Sequence, residues 1–326
     1  METRHESSAF WVTGPGRGEI RAELLSPRQP HEVTVRTLYS GISRGSESMV
    51  FRGEVPNSEY QRMRAPYQEG DFPSPVKYGY INVGTVQCGP DHLRGQAVFC
   101  LYPHQTIYNV PAHAVHVLPP SVPAERAVLA ANLETAINGL WDGCPRIGDR
   151  VAVIGAGTLG CLMAWLLGKI PGVRVELIDI DPDKEEIAVS LGVPFTSPEC
   201  ATPEMDLVFH CSASQAGLNS ALELAAFEAC IIEMSWHGDR AVTLPLGEGF
   251  HAKRLQLRSS QVSTIAPFQR ARWDAERRMR LALGLLADPM LDLLISGEDS
   301  FVELPLVMRR LSRHSAQSLC HRITYL

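Results

Sequence analysis

The sequence predicts an α/β protein built from a β-rich domain and a second domain with a doubly wound parallel sheet. Three observations lead to this fold class. The chain has 326 residues, more than one hydrophobic core comfortably serves. Residues up to Leu118 contain short alternating runs separated by glycine- and proline-rich turns. From Val151 to Val262, apolar runs alternate with helical patterns, as in a parallel sheet with helices on both faces.

The β-rich part is predicted to contain four strands and one long loop. Polar and apolar side chains alternate along the strands, which is typical of half-buried strands. The strands are Glu32–Tyr39, Ile81–Gln87, Gln96–Leu101 and His113–Leu118. Residues 53–76 are rich in glycine, proline and charged side chains and are predicted to form a long surface loop. The proline-rich stretch from Pro119 to Pro123 marks the first domain boundary.

The second part is predicted to alternate between buried strands and helices. It opens with a helix over Ala124–Trp141. Strands are predicted at Val151–Ile154, Val173–Ile180, Asp206–Cys211, Cys230–Ser235 and Leu255–Val262, with helices after Gly157, at 184–191 and at 215–226. After Pro267 the alternation ends, and we expect helices at Arg272–Leu286 and Leu306–Leu311 and a strand at Cys320–Leu326.

Composition narrows the class of partner and compartment. The net charge of −6 argues against nucleic acid or an acidic membrane surface as the main partner. The eight cysteines are scattered without a Cys-x-x-Cys pair, which favours reduced thiols in a cytoplasmic protein. The amino terminus lacks the apolar core of a signal peptide. The longest apolar stretch, around Leu159–Leu167, is too short to span a bilayer.

A glycine pattern between the first buried strand and the next helix predicts a dinucleotide site. In Gly155-x-Gly157-x-x-Gly160, the first glycine permits a tight turn and the second lets a pyrophosphate approach the backbone. Gly160 lets the helix lie close to the strand. The free N–H groups at the start of the helix, at Thr158 and Leu159, would then face the phosphates. The alternative is a glycine turn in an unrelated α/β crossover.

Asp179 predicts which dinucleotide binds. It lies near the end of the second buried strand, where a carboxylate accepts hydrogen bonds from the ribose hydroxyls. A carboxylate there would repel the additional phosphate of NADP(H), and residues 180–183 contain no arginine to bind that phosphate. We therefore expect NAD(H) to be preferred over NADP(H), with Lys184 as the one nearby cation that could favour NADP(H).

The whole chain resembles the medium-chain dehydrogenase/reductase superfamily. The likeness is strongest at Val33–Ser43, Gly79–Gly84, Leu133–Glu134 and Gly148–Gly157. Within the superfamily, Ser40–Glu47 is most similar to the zinc-type branch that includes bacteriochlorophyllide a dehydrogenase. The resemblance implies a GroES-like β-rich substrate domain over 1–122 and an inserted doubly wound Rossmann domain over 123–266. It further implies a segment over 267–326 that returns to the first domain, and a homodimer.

The positions of the catalytic zinc ligands depart from the family pattern. Ser43 stands where relatives have a cysteine, and Tyr80 and Ile81 replace the histidine and glutamate of Gly-His-Glu. Only Glu134 matches a family ligand. Hydroxyl groups are poor zinc ligands compared with thiolate, imidazole and carboxylate. The four clustered cysteines of the family's structural zinc are also missing, so we expect neither a zinc ion nor any residue that binds a metal.

Other histidines offer no clear replacement for the lost zinc site. His113 and His116 are three apart on a predicted strand, so their side chains would point to opposite faces. Cys100 and His104 could share a face, but Pro103 between them predicts a turn, and both suit a protein core. His251 could face the cofactor or simply lie at a helix end.

Several side chains could manage the proton without zinc. By family position, the catalytic candidates are Tyr80, Ser43, Ser46 and Glu134: Tyr80 would donate its phenolic proton, and Glu134 would orient Tyr80 or bind water. The alternative is that these side chains only fill the vacated metal pocket. The resemblance also places Ser259, Ser260 and Gln261 beside the nicotinamide, although they could be no more than a polar strand end.

These observations together predict an NAD(H)-dependent oxidoreductase that interconverts an alcohol and a carbonyl on a small-molecule substrate. A zinc-independent enone or quinone reductase using NADPH is one alternative, and Asp179 argues against it. A non-catalytic NAD(H)-binding protein is the other. The substrate itself cannot be predicted from the sequence.

Overall fold

The computed structural model describes residues 6–313 and 318–325 of the chain. The protein divides into two compact units: the first comprises residues up to 131 and from 283 onward, and the second comprises residues 132–282. The boundaries between the units therefore lie downstream of the predicted domain boundaries, which were at 122/123 and 266/267. The first is shifted because the buried helical turn Ala127–Leu129 packs against strands of the first unit.

The amino-terminal part of the first unit is β-rich, as predicted. Its elements are β1 (Glu6–Gly14), β2 (Arg17–Leu24), β3 (Glu32–Ile42), α1 (Arg44–Arg52), β4 (Glu69–Gly70), β5 (Val76–Lys77), β6 (Asn82–Cys88), β7 (Ala97–Cys100), β8 (Ile107–Pro111) and β9 (Val115–Val117). A cluster of aliphatic side chains and stacked tyrosines fills the core between these strands. In it, the rings of Tyr102 and Tyr108 stack 3.7 Å apart.

The second unit contains a six-stranded parallel sheet with helices. Its elements are α2 (Ala130–Gly143), β10 (Arg150–Ile154), α3 (Thr158–Leu167), β11 (Arg174–Ile178), α4 (Glu185–Ser190), β12 (Phe195–Thr196), β13 (Met205–His210), α5 (Gln215–Leu224), β14 (Ala225–Glu233), β15 (Gln256–Ser259) and α6 (Ala275–Leu285). The strand order is β12-β11-β10-β13-β14-β15, and every neighbouring pair is parallel. This is the order of a doubly wound Rossmann sheet, with its switch point beside β10.

The carboxy-terminal part returns to the first unit. It adds β16 (Ile295–Ser300), α7 (Leu304–Arg313) and β17 (Cys320–Thr324). The larger sheet runs β16-β17-β3-β6-β7-β9, with β8 also paired to β3, and a four-stranded sheet runs β2-β1-β5-β4. The predicted α/β fold class is therefore confirmed. Leu326, at the end of the predicted last strand, lies outside the described residues.

Several local predictions need correction. The predicted loop over 53–76 includes β4 and the start of β5, and it buries Val55 and Phe72 in the core. His113 lies in a helical turn, Ala112–Ala114, and not on a strand, so the strand argument about His113 and His116 was wrong. Strands β1 and β2 and helix α1 were not predicted from the sequence. Among the described residues, no helix is long and apolar enough to cross a membrane.

Candidate active site

The glycine loop after β10 has the backbone geometry expected of a nucleotide site. Gly155 has a φ of +105°, in the region that favours glycine, and a side chain there would meet the Ser212 backbone nitrogen at 2.7 Å. A Cβ on Gly160 would lie 1.8 Å from the Gly155 carbonyl oxygen, so only glycine lets α3 begin this close to the strand. By contrast, a Cβ on Gly157 would meet no atom within 4 Å. The backbone at Gly157 therefore faces open space that a ligand can enter.

Helix α3 begins at this loop, with Gly157 as its N-cap. The N–H groups of Thr158 and Leu159 belong to its first turn, which has no intrahelical acceptors. Helix N-termini of this kind attract phosphate through those donors and through the helix dipole. The loop and helix therefore fit the diphosphate of a dinucleotide.

Asp179 follows β11 and lies over the glycine loop. Its carboxylate accepts the Ala156 N–H at 2.5 Å and the Asp181 N–H at 3.0 Å. Each carboxylate oxygen can accept more than one hydrogen bond, so Asp179 retains capacity for ribose hydroxyls. Lys184 is buried, and its ammonium group lies 3.8 Å from the Asp181 carboxylate. The charge of Lys184 is thus already paired with an acid of the protein.

In the first unit, three of the four predicted catalytic side chains come together. Ser43 is the N-cap of α1, and Ser46 lies in its first turn. The Ser46 Oγ and the Tyr80 hydroxyl oxygen are 2.7 Å apart, and Tyr80 also hydrogen-bonds to the Ser43 side chain. Helix α1, which was not predicted, is what brings these two serines to the same tyrosine.

The environment of Tyr80 keeps its phenol protonated. Burial and the nearby Glu47 carboxylate raise the pKa of Tyr80 to about 12, although its hydrogen bonds with Ser43 and Ser46 act in the opposite direction. At neutral pH, Tyr80 therefore carries a proton that it can donate, as the reduction of a carbonyl requires.

A buried hydrogen-bonded chain beside these residues was missed by the sequence analysis. The Glu47 carboxylate accepts the Ser43 N–H at 2.7 Å and lies 2.7 Å from the His104 Nε2. On its other side, the His104 Nδ1 lies 2.6 Å from the Ser40 Oγ, which is 2.9 Å from the Tyr325 hydroxyl oxygen. Glu47 is 3 % exposed and His104 is 1 % exposed. The one sequence signal was Glu47 in the motif Ser40–Glu47, to which no role was given.

Glu134 belongs to the second unit, where it forms an ion pair. Its Oε1 lies 3.0 Å from the Arg278 Nε, and Arg278 also donates to the Asn138 Oδ1 and the Val262 carbonyl. Burial raises the pKa of Glu134, and the Arg278 charge and hydrogen bond partly offset that rise. The charge of the Glu134 carboxylate is therefore paired with the Arg278 guanidinium.

The three polar residues at the end of β15, Ser259, Ser260 and Gln261, differ in what they contact. The Ser259 side chain is exposed. Ser260 donates to the Asp142 carboxylate at 2.7 Å, and the Gln261 side chain folds back onto Ser263. Of the three, Ser260 is bound within its own unit and Ser259 is the most available to a ligand.

The residues at the family's zinc positions do not fit a zinc ion. The donor set of Ser43, Tyr80 and Ile81 contains two hydroxyls and an aliphatic side chain. Nor do the other candidates considered from the sequence, around His104 and His113, form a group of three ligands. Across the described ranges, one group of three potential ligands lies close together: His210, Glu233 and His237.

No family model matches the chain. A curated relative, D-guloside 3-dehydrogenase of Escherichia coli K12, is 24 % identical over 330 residues, covering 90 % of this chain and 93 % of the relative. An uncharacterised zinc-type alcohol dehydrogenase-like protein of Haemophilus influenzae is 34 % identical over 89 residues, 27 % of this chain and 26 % of that protein.

Solved structures share the fold along its whole length. L-idonate 5-dehydrogenase of Escherichia coli matches with a TM-score of 0.82 at 15 % identity, covering 99 % of each chain. An Escherichia coli alcohol dehydrogenase bound to NADH matches at 0.77 and 18 % identity, covering 98 % of this chain and 99 % of that one. An NADP-bound dehydrogenase of Sinorhizobium meliloti matches with a TM-score of 0.79 at 16 % identity, covering 99 % of this chain and 100 % of that one.

These likenesses agree with the Rossmann strand order, the glycine loop and the β-rich first unit. Of these neighbours, one is bound to NADH and one to NADP. The chain is therefore similar in sequence to a sugar dehydrogenase and, over part of its length, to a zinc-type alcohol dehydrogenase-like protein, and it shares the fold of solved dehydrogenases.

Proposed function

We propose that the protein is an NAD(H)-dependent dehydrogenase that interconverts an alcohol and a carbonyl without a catalytic zinc ion. The observation that carries this proposal is the open glycine loop at Gly157 with the Asp179 carboxylate lying over it. The relatives named after D-guloside and L-idonate support a sugar-like or polyol hydroxyl as the reacting group.

The preference for NAD(H) rests on charge. A ribose with free hydroxyls can donate to the Asp179 carboxylate, whereas a phosphate on the ribose would be repelled by it. Lys184, the nearest cation along the chain, is buried and paired with Asp181, so it does not compensate for this repulsion.

Without zinc, the proton that accompanies hydride transfer must be handled by side chains. When bound, the nicotinamide cofactor supplies or accepts the hydride. Tyr80 holds a phenolic proton at neutral pH because its pKa is about 12, and the Ser43 and Ser46 hydroxyls fix the position of its oxygen. A positioned acid of this kind typically contributes about 10²–10⁴-fold in rate. We assign Tyr80 as the proton donor, Ser43 and Ser46 as residues that orient it, and Glu134 to the structure of the second unit.

The remaining site and assembly predictions belong to the same proposal. Ser259, the last residue of β15, is the residue that we expect to contact the nicotinamide end of the cofactor. All four residues of β15 are exposed at the edge of the six-stranded sheet, which suits pairing in a homodimer. All eight cysteines are free, in keeping with a cytoplasmic location.

Nucleotide binding by Asp179 variants tests the proposal. Asp179→Asn keeps an acceptor for the Ala156 N–H but removes the charge, and we expect about 10- to 100-fold weaker NADH binding by calorimetry. The preference for NADH over NADPH should shrink in the same variant. Asp183→Asn, an exposed acid nearby, is the matched control and should change neither affinity.

A substrate panel of alcohols, carbonyls and enones, followed by NADH absorbance, completes the test. Turnover of sugar-like or polyol hydroxyls supports the proposal. Reduction of enones alone with NADPH would identify a reductase, and tight nucleotide binding with no turnover would identify a non-catalytic protein. Either result overturns the proposed activity.

A further inference from the structure

A cluster of two histidines and a glutamate lies at the carboxyl end of the second unit's sheet. His210 is the last residue of β13, and Glu233 is the last residue of β14. The two residues are direct partners in the parallel ladder, so their side chains leave neighbouring strands at the same edge. His237 follows four residues after Glu233, in the turn beyond β14. The three residues therefore meet through the topology of the sheet.

The three side chains present their ligand atoms to one another. The His210 Nδ1 lies 2.7 Å and the His237 Nε2 lies 3.3 Å from the same oxygen, the Glu233 Oε2. All three atoms lie within 4.8 Å of one another, and the two imidazole rings are nearly parallel, at 16°. Such convergence is what an ion bound by all three would require.

Outer contacts hold these ligands in position. The His210 Nε2 lies 2.7 Å from the Ser212 Oγ, and the Glu233 Oε1 accepts the Ser235 N–H at 2.7 Å. Histidines that bind metals almost always use their second nitrogen in this way, which fixes the ring and the tautomer. Gly217 leaves no room for a side chain there, since a Cβ would lie 2.3 Å from the Ser212 Oγ. The Nε2 of His210 is thus enclosed, and its Nδ1 is the atom left for an ion.

The hydrogen bonds can rearrange when an ion binds. Without an ion, the Glu233 carboxylate accepts a hydrogen bond from each imidazole, and the neutral His210 ring can accept one at Nε2 from the Ser212 hydroxyl. With an ion on Nδ1, the proton of His210 must reside on Nε2 and be donated to Ser212. A hydroxyl both donates and accepts, and Ser212 has Ser214 as an onward partner at 2.9 Å. The surroundings therefore accommodate either state.

Ligand type and exposure indicate the class of ion. Two imidazole nitrogens and one carboxylate suit zinc and neighbouring divalent transition ions, whereas calcium and magnesium favour sets made of oxygen alone. His210 is fully buried, while Glu233 and His237 are 14 % and 17 % exposed. An ion could therefore enter from solvent, and three protein ligands leave a coordination position for water.

We propose that His210, Glu233 and His237 form a binding site for a divalent transition metal ion, zinc foremost, in the Rossmann unit. This site is distinct from the family's catalytic zinc positions at Ser43, Tyr80 and Ile81. It does not depend on the proposed dehydrogenase activity, because its ligands all lie in the second unit and none is assigned to the reaction.

Metal titration of the chelator-treated, full-length protein tests the site. We expect one equivalent of zinc to bind, measured by competition with a chromophoric chelator, and His237→Ala to abolish that uptake. Ser212→Ala should weaken the affinity by about 10- to 100-fold through loss of the outer contact. His251→Ala, an exposed histidine of the same unit, is the matched control and should bind like the wild type. Circular dichroism and the thermal midpoint verify that each variant is folded.

Cobalt substitution identifies the ligands. A histidine–carboxylate site should show visible d–d bands without the intense near-ultraviolet thiolate band that cysteine ligands produce. Equal metal uptake by the wild type and His237→Ala, no uptake by either, or a thiolate band would each overturn the proposal. If one equivalent of zinc still binds to His237→Ala but not to Glu47→Gln, the ion is bound in the first unit. That result would contradict both this metal site and the proposed zinc-free activity, so the failure of one proposal can be told apart from the failure of both.

Discussion

The two units each bury a glutamate beside a basic side chain, and the two pairs are built differently. In the second unit, Glu134 faces Arg278, whose guanidinium is always charged and also binds Asn138 and Val262. In the first unit, Glu47 faces His104, whose imidazole is linked by hydrogen bonds through Ser40 to Tyr325. The first pair is a fixed ionic clamp. The second is a chain of groups that can pass or hold protons, and its carboxylate raises the pKa of Tyr80.

This difference teaches that matching a family position does not identify a functional carboxylate. Glu134 matches a ligand of related enzymes, yet its charge is used to neutralise a buried arginine. Glu47 was given no role, yet its charge acts on Tyr80, the residue that we propose as the proton donor. What separates them is the chemistry of the partner side chain.

The largest expected effect concerns Tyr80, the group that Glu47 influences. Tyr80→Phe should lower turnover by about 10²–10⁴-fold, because it removes the donor and keeps the ring. NADH affinity should be unchanged, as measured by calorimetry. Tyr78→Phe is the matched control, because Tyr78 packs edge-on against Tyr80 at 6.0 Å, and should retain most activity. Unaltered turnover in Tyr80→Phe would remove it as the donor.

Breaking the Glu134–Arg278 ion pair in the second unit should lower the stability of the protein. Glu134→Gln leaves Arg278 buried without its counter-charge, a change that typically costs about 3–5 kcal/mol. For a unit of this size, we expect the thermal midpoint to fall by about 6–20 °C, measured by calorimetry. Replacing both members together, Glu134→Met with Arg278→Met, should recover much of the loss. A midpoint that stays within about a degree of the wild type would show that the pair is not a clamp.

Glu47→Gln should lower the pKa of Tyr80. Burial is the larger cause of the raised pKa and the Glu47 charge is the second, so removing the charge should bring the pKa below about 12 while burial keeps it above the ordinary value near 10. Tyrosine-selective NMR during an alkaline titration measures this, with Tyr80→Phe used to assign the signal. Glu59→Gln, a surface carboxylate of the same unit, should leave the pKa in place. A rise in the pKa would contradict the electrostatic role of Glu47.

The smallest expected effect is one of pH. Tyr80 has a folded pKa near 12, above its ordinary unfolded value of about 10. Its contribution to stability is therefore complete below about pH 10 and is lost as the pH rises through 12. The difference in unfolding free energy between the wild type and Tyr80→Phe should be constant up to about pH 10 and shrink above it. A difference that changes between about pH 6 and 8 would indicate that another group is titrating.

The sequence was most informative where function depends on neighbours along the chain. The glycine loop and Asp179 follow directly from short apolar strands and their end residues, and all five strands predicted for the second unit are present. Helix α1 was hidden because Gly45, Ser46 and Ser48 are poor helix formers and its apolar residues are few.

Contacts between distant residues could not be predicted in the same way. Ser40 and His104 are separated by 64 residues, and Glu134 and Arg278 by 144. Neither pair has a local pattern that announces it, because each forms only after the sheets and helices have packed. The ladder pairing of His210 with Glu233 has the same origin, since it depends on the register between two parallel strands.

Strand β17 lies between β16 and β3 within the larger sheet of the first unit. The hydroxyl of the neighbouring Tyr325 contacts Ser40, although the two residues are 285 positions apart in the sequence. During synthesis, the edge of β3 that pairs with β17 therefore stays unpaired until almost all later residues have been made. The unit that contains Tyr80 is consequently finished last, and a nascent chain exposes an open strand edge until then. Shortening the chain before Cys320 should yield aggregation in place of a smaller working enzyme.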